Sequence, residues 1–287
     1  DFNGDGKIDL ATADSNGRDI AVLLGNGNGT FQVAMGFAAG SNPISIVAAD
    51  FNNDGKMDLS VTDLTTDNAV VLLGNGDGTF RAPIFYSVGN SPYGIASADF
   101  NGDGNIDLAI TNNGNSDIAV LLGNGDGTFK PAVSYSVGDG PSGIVVADFN
   151  GDGKMDLAVS NYDSMNVAVL LGNGDGTFQN AVFFPIGSNL EGITAADFNG
   201  DGKIDLAVAG GNSNSIAILL GNGNGTFQAA QFFTVGNYAS QMAAVDFNND
   251  GKIDLAVTDT FSSDVAVLIN NTQMPKPVRG IPIWDIL

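Results

Sequence analysis

The sequence predicts an all-β chain: a β-propeller of four-stranded antiparallel blades, made of six repeats of 49 residues. Three observations predict it. An acidic phrase, "DFNGDGKID" at Asp1, returns in step at Asp50, Asp99, Asp148, Asp197 and Asp246. Each repeat carries four short apolar stretches separated by turn residues. No stretch has helical periodicity. A fixed period of this length marks a repeat architecture, in which each unit buries a face against its neighbour.

The third repeat shows the elements in order. Strand A, "GIASAD" (Gly94–Asp99), leads into the acidic phrase, and strand B, "IDLAIT" (Ile106–Thr111), leaves it. Strand C, "DIAVLL" (Asp117–Leu122), runs into a glycine turn, and "TFKPAVSYSV" (Thr128–Val137) is strand D. The turn reads "GNGNGTF" at Gly25 and Gly221 and "GNGDGTF" at Gly74, Gly123 and Gly172; the sixth repeat lacks it. Strands A, B and C are nearly continuously apolar, as expected of a sheet covered on both faces. Strand D alternates: in "FRAPIFYSV", Phe80, Ala82, Ile84, Tyr86 and Val88 are interleaved with Arg81, Pro83, Phe85 and Ser87. Pro131 and Pro185 also fall in it, and proline has no ladder donor, so strand D is predicted at the outer edge. Four such strands, stacked face to face with their neighbours, are a propeller blade.

Composition narrows the function classes. The 287 residues include 32 acidic against 10 basic ones, a net charge of −22. Such a chain does not hold nucleic acid by neutralising phosphates, and it does not dock on an anionic membrane. With 43% hydrophobic residues it has the material for a core, so the acid serves another purpose than disorder. There is no cysteine and no histidine, which removes disulfides, thiolate chemistry, the serine triad and most zinc or iron sites. No apolar run reaches the length of a membrane span, so no membrane insertion is expected. No signal peptide is visible; the sequence opens inside a repeat, and any export signal is expected upstream.

The purpose of the acid is legible in the phrase itself. Calcium takes six to eight oxygens, and alternate positions of a tight loop supply them. In the first copy these are Asp1, Asn3, Asp5 and Asp9 with the carbonyl of Lys7, and Gly6 makes the sharp bend. The parallel sets are Asp50, Asn52, Asp54, Lys56, Asp58; Asp99, Asn101, Asp103, Asn105, Asp107; and Asp148, Asn150, Asp152, Lys154, Asp156. The last two are Asp197, Asn199, Asp201, Lys203, Asp205 and Asp246, Asn248, Asp250, Lys252, Asp254. Three aspartates in each of six loops are eighteen of the 32 acids, and left unneutralised they repel one another. Six calcium ions, one per repeat, would bring −22 to about −10, an ordinary surface charge. Against this stands the plain reading that Asp, Asn and Gly are good turn formers. Magnesium fits less well, because it keeps its waters. Phe2, Phe51, Phe100, Phe149, Phe198 and Phe247, second in each phrase, are assigned to the core and given no ligand role.

The wording "ADFNGDGKMDLAVSN" followed by "NVAVLLGNGDGTF" resembles the bacterial VCBS/FG-GAP repeat, related to the propeller of integrin α-subunits and to some fungal propeller lectins. The resemblance covers residues 1 to about 271. It implies calcium at the positions named above, an extracellular or cell-surface setting, and a non-enzymatic role in adhesion or in binding carbohydrate or protein. The chain departs from integrins in lacking a literal FG…GAP triplet and from the commonest seven-bladed members in having six copies, so a fragment of a seven-bladed propeller is the alternative.

The second phrase, with Asp77, Asp126 and Asp175 replaced by Asn28 and Asn224 elsewhere, is read as a C–D hairpin turn ahead of a weak second metal loop. The sequons at Asn28, Asn224 and Asn270 are read as turn chemistry. This strand order puts the acidic loop and the glycine turn at one end of each blade, and the B–C and D–A connections, which vary, at the other. There Tyr93, Tyr162, Tyr238 and Phe261 stand among Asn and Ser, a composition that suits a glycan or protein ligand and equally suits drift in exposed loops. Three function classes follow: a calcium-stabilised binding module; a structural subunit of a filament, self-associating through terminal strands; and, with one glutamate (Glu191) and no histidine, a disfavoured lyase. Residues 272–287 form a tail, and Ile281–Leu287 is expected to pair with the first blade as its strand A, within one molecule or between two.

Overall fold

A computed structural model describes residues 1–271 and the backbone of Trp284–Ile286. Among these residues all regular structure is β, in six antiparallel sheets. The first holds β1 (Leu10–Asp14), β2 (Asp19–Leu23) and β3 (Met35–Ala38), in that order. The second runs β4 (Pro43–Ala49), β5 (Asp58–Asp63), β6 (Asn68–Leu72), β7 (Ile84–Ser87), and the third β8 (Pro92–Ala98), β9 (Asp107–Asn112), β10 (Asp117–Leu121), β11 (Val133–Ser136). The fourth is β12 (Pro141–Ala147), β13 (Asp156–Asn161), β14 (Asn166–Leu170), β15 (Val182–Pro185). The fifth is β16 (Leu190–Ala196), β17 (Asp205–Gly210), β18 (Ser215–Leu219), β19 (Gln231–Thr234). In the sixth, β20 (Ala239–Val245), β21 (Asp254–Asp259) and β22 (Asp264–Asn270) are followed by β23 (Trp284–Ile286). Strand order within each sheet follows chain order, so neighbours from β1 to β22 within a sheet are joined by hairpins, and strand D lies at an edge as its pattern requires.

Burial follows the same logic. The second strands β5, β9, β13 and β17 are buried along their whole length, which explains their richness in Val, Leu, Ile and Ala and the small or hydrogen-bonding residues between them. The first strands β4, β12 and β16, at the opposite edge, are only partly buried. In each B–C hairpin the residue before the third strand adopts a left-handed conformation: Arg18, Asp67, Ser116, Met165, Asn214 and Ser263 have φ of 60°, 59°, 56°, 53°, 50° and 58°. A residue of this kind closes a short hairpin without splaying its strands.

Strand D is shorter than its pattern suggests. Phe129 makes only an isolated bridge to Gly123, and the ladder resumes at Val133, past Pro131. The proline, without an N–H, sits where the chain leaves the ladder. Pro185 is the terminal residue of β15, opposite Asn166.

The chain divides into two compact units, Asp1–Ser136 with Gly174–Thr177, and Val137–Asn173 with Phe178–Leu287. In the first, core side chains fill the space between sheets one and two (Phe2, Ile20, Leu59, Leu72) and between two and three (Phe51, Val71, Leu108, Leu121). In the second they lie between sheets four and five (Phe149, Val169, Leu206, Leu219) and five and six (Phe198, Ile218, Leu255, Leu268). An aromatic trio recurs at these junctions. Phe2, Phe51 and Phe149 meet Phe80, Phe129 and Phe227 edge to face at 5.7, 5.7 and 5.6 Å. Phe37, Tyr86 and Phe184 close on the second ring at 5.2, 5.4 and 5.4 Å. The core role expected of the phrase phenylalanines holds for Phe2, Phe51, Phe100, Phe149 and Phe198, but Phe247 is 45% exposed. Among the described residues no ring of a further repeat packs over it.

The expected pairing of the tail is corrected. Trp284–Ile286 lies beside β22, with Leu268 opposite Ile286 and Asn270 opposite Trp284, as the outer strand of the sixth sheet. β22 is followed by no glycine turn to supply a strand D, so its outer edge is open to pairing with another segment. The remainder of Ile281–Leu287 and residues 272–280 lie outside the described residues.

At the end of the sheets away from the acidic loops, buried polar side chains fasten the connections. Asp63 accepts bonds from the amides of Ser41, Asn42 and Thr65 and from the Thr66 hydroxyl. Burial pushes its carboxyl up, but these donors outweigh burial and hold it below its ordinary 3.8. The stability it contributes is therefore present above that value and lost as pH falls through the lower folded one. We expect Asp63→Asn to destabilise the chain at pH 7 in urea titrations, with the gap to wild type narrowing below about pH 4. The aromatic trio makes a second expectation. Phe129→Ala should cost about 3–5 kcal/mol, whereas Phe247→Ala should cost less than about 1 kcal/mol; equal losses would refute the inter-sheet role.

Candidate metal loops and the opposite loop face

Each acidic phrase folds as one tight loop leading into strand B, joining it to strand A in the second to sixth sheets, and the structure brings all five expected positions of each copy into it. The first carboxylate is turned inward on the loop: in all six copies one of its oxygens accepts the sixth-position glycine N–H at 2.7–2.8 Å. The third-position asparagine oxygen accepts the fifth-position N–H at 2.8–3.0 Å. The fifth-position carboxylate accepts the seventh-position N–H, also at 2.8–3.0 Å. Lys7, Lys154, Lys203 and Lys252 pair with that carboxylate at 2.9, 3.6, 3.5 and 3.7 Å, on the exposed side where ion pairs contribute little. Asn105 stands in the lysine position of the third loop and accepts a bond from Asn53 at 2.8 Å.

The ninth-position aspartate behaves differently. Asp58, Asp107, Asp156, Asp205 and Asp254 have none of their surface exposed, and Asp9 has 8%. One oxygen accepts the N–H of the phrase phenylalanine at 2.7–3.0 Å. The other accepts the first N–H of the glycine turn at 2.7–2.8 Å, from Gly25, Gly74, Gly123, Gly172 or Gly221, or from Asn270 in the sixth repeat. Residue types alone mark this aspartate as one more ligand; its second duty shows only in the fold, where it staples the loop to the turn. Burial pushes Asp58, Asp107 and Asp156 up from the ordinary value and Asp205 up to about 6. The two amide bonds oppose the rise, and the first- and fifth-position carboxylates add to it.

Among the described residues no group of three or more carboxylates is gathered closely enough to hold an ion. The donor set nonetheless fits a hard cation. Every side chain it offers is an oxygen donor, and the carboxylates raise one another's energy in the absence of a counter-charge.

The glycine turn closes on itself. In "GNGDGTF", Asp77 accepts both the amide and the hydroxyl of Thr79 at 3.0 and 2.6 Å, and Asn28 does the same for Thr30 at 3.1 and 2.7 Å. These side chains serve the turn, as the hairpin reading expects. The turn also reaches sideways: the amides of Gly78, Gly127 and Gly225 donate to the carbonyls of Phe2, Phe51 and Phe149 at 2.9, 3.1 and 3.0 Å. The sixth repeat has no such turn, and there the Asn270 side-chain amide donates to Phe198 at 2.7 Å.

At the opposite end, three of the four aromatics singled out in the loops come together in the second unit. Tyr238 donates its hydroxyl to Glu191 at 2.8 Å and stacks at a tilt on Phe261, centroids 4.7 Å apart. The Tyr162 hydroxyl interacts with that of Tyr238 and accepts a bond from Asn212 at 3.3 Å. Tyr93, on β8 in the first unit, takes no part. The bond to Glu191, then burial and the Tyr162 hydroxyl, push Tyr238 far above the usual tyrosine value, so its proton stays on.

Five stretches, residues 1–61, 59–110, 99–159, 148–208 and 197–257, match the FG-GAP-like repeat model. No curated protein matches the chain. Among solved structures, one is a lectin from Agrocybe aegerita described as specifically recognising non-reducing terminal N-acetylglucosamine. It is 23% identical, with a TM-score of 0.62 over 96% of this chain and 76% of the other. Another is a putative 6-phosphogluconolactonase from Bacteroides uniformis, 17% identical, TM-score 0.72, covering 96% and 80%. A third is virginiamycin B lyase from Staphylococcus aureus, 15% identical, TM-score 0.61, covering 97% and 87%. Likeness at such identities shows the propeller fold alone. The repeat matches go further, since their windows take in all six acidic phrases and the sheets between them: the chain belongs to the FG-GAP-like repeat family.

Proposed function

We propose that the chain is a non-enzymatic, calcium-stabilised propeller scaffold of extracellular type that presents its variable loop end to a glycan or protein ligand. The observation that carries this reading is the acidic loop, repeated six times with a caged first carboxylate and a buried ninth one. Asp103, Asp107 and their partners at positions one, three and seven of the third loop would hold the ion, as would their counterparts in the other five. Calcium would supply the positive charge these carboxylates lack. The residues do the rest: the ninth aspartate carries the loop's order into the glycine turn, and the turn carries it to the carbonyl of the neighbouring phrase.

Several features support a binding role over catalysis. There is no histidine, and the lyase among the structural relatives is described as catalytically inactive once a single histidine is replaced. Tyr238 holds its proton too tightly to serve as a base near neutrality. A lectin shares the fold, and its recognition of a sugar supports a glycan as one ligand class here.

With calcium near millimolar and dissociation constants near 0.1 mM, each site contributes about 1.4 kcal/mol by mass action. Six sites together rival the stability of an ordinary domain. Removing calcium with EDTA should therefore lower the melting temperature by on the order of 10 °C or more, read by circular dichroism. An unchanged melting curve would sink the proposal.

Single substitutions separate the ligand role from the staple. Asp103→Ala should abolish one calcium site by titration calorimetry, leave five, and lose clearly more stability in calcium than in EDTA, where its bond to the Asn105 amide is lost. Asp107→Ala strands the buried amides of Phe100 and Gly123 and should cost about 2–5 kcal/mol with or without calcium. If Asp103→Ala proved as damaging in EDTA as in calcium, its carboxylate would be a turn former and nothing more.

A further inference from the structure

We infer that Glu191, Tyr238 and Phe261, with Tyr162, Asn189 and Asn212 around them, form a binding site for an uncharged sugar ring on the variable loop end of the second unit. The inference rests on the reading of the chain as a ligand-presenting module.

The first ground is that the cluster departs from the repeat. One period from Tyr238 stand Asn189, Gly140, Ser91 and Asn42, and one period from Phe261 stand Asn212, Asp163, Gly114, Thr65 and Asn16. Glu191 is the chain's one glutamate, where other repeats have Ile44, Tyr93, Ser142 and Ser240. The repeat folds without these side chains.

The second ground is strain. Tyr238 sits at φ 66°, a left-handed conformation that suits the glycine at Gly140 and that bulky residues seldom adopt. A residue kept in such a conformation points to a use for its side chain. Gly211 leaves the room: a Cβ there would stand 3.1 Å from Glu191 Cγ and 3.3 Å from Tyr238 Cζ.

The third ground is complementarity. A pyranose has an apolar C–H face and a rim of hydroxyls. Phe261, 69% exposed and braced by Tyr238, offers the platform. Beside it stand fixed polar groups. Glu191 is held by its backbone carbonyl, which accepts bonds from Ser160 and Ser142 at 2.5 and 3.0 Å, and its carboxylate spends one oxygen on Tyr238. Asn212 donates to Asn189 at 3.0 Å and to Tyr162, which orients both amides and the phenol. Pre-set polar groups next to an aromatic surface lower the ordering cost of binding a small polar ligand. The net charge of −22 disfavours phosphates and uronic acids.

The test is saturation-transfer NMR on the full chain in calcium, with the methyl glycosides of glucose, galactose and N-acetylglucosamine as probes. We expect at least one to receive saturation from aromatic protons. Phe261→Ala should weaken it roughly tenfold with the melting temperature unchanged. Tyr238→Phe, which keeps the ring and frees Glu191, should also weaken it, and Phe85→Ala on β7 should not. Transfer to none of the sugars, or equal transfer in wild type and Phe261→Ala, overturns the site. Calcium stabilisation without sugar signals leaves the scaffold reading standing and removes the site; sugar signals lost in Phe261→Ala without calcium stabilisation do the reverse.

Discussion

The buried ninth-position aspartate is the interaction on which the rest of each repeat depends. A carboxylate without solvent is costly unless its oxygens are fully used, and here two backbone amides use them. One amide begins the acidic loop and the other begins the glycine turn, 16 residues further along the chain from the carboxylate. A neutral side chain of similar size does not replace it: asparagine would aim its own N–H₂ at one of the two donors. The aspartate thus joins the acidic loop to the turn at that end of the sheet, and any ion held by the outer oxygens would act on a framework already tied together. The sixth repeat supports this reading. It lacks the glycine turn, yet Asn270 supplies the missing amide to Asp254 from its backbone and the sideways bond to Phe198 from its side chain.

The phrase phenylalanine is the second half of the same device. Its N–H is given to the ninth aspartate, its carbonyl takes an amide from the neighbouring turn, and its ring packs edge to face on that turn's own phenylalanine. Order in one loop is therefore transmitted to the next sheet by a hydrogen bond and a ring contact at the same residue. In a repeat protein, stability is the sum of such units and their junctions. An ion held at one loop would, on this account, act on two sheets and not one.

Much of this was legible in the residues, and the reasons for what was not are specific. Period, strand order and the outer place of strand D follow from spacing, apolar runs and proline, all of them local properties. The length of strand D did not follow, because its pattern is continuous through Pro131 while hydrogen bonding is not. The role of the ninth aspartate was half legible: its type suggested a ligand, but burial depends on which strand covers it. The partner of Trp284–Ile286 is not legible, because edge complementarity alone does not choose between the first and sixth sheets. Exposure of Phe247 was equally hidden, since its sequence surroundings match those of its five buried counterparts.

The two ends of the sheets have opposite freedoms. At the acidic end nearly every side chain serves a backbone amide of the next element, so substitution there disturbs folding. At the other end the fastening in the second, third and sixth sheets is done by a buried polar side chain, Asp63, Asn112 or Asp259, together with the left-handed residue before the third strand. The remaining loop residues are released from structural duty. Where that freedom has been spent on Asn, Ser and Gly, nothing beyond a solvated loop results. Where it has been spent on Tyr162, Glu191, Tyr238 and Phe261, the loops gain a hydrogen-bonded polar network beside an exposed ring, at the expense of a strained tyrosine. A scaffold with one end fully committed to its own stability can vary the other without endangering the fold, and that is the physical basis for placing recognition there.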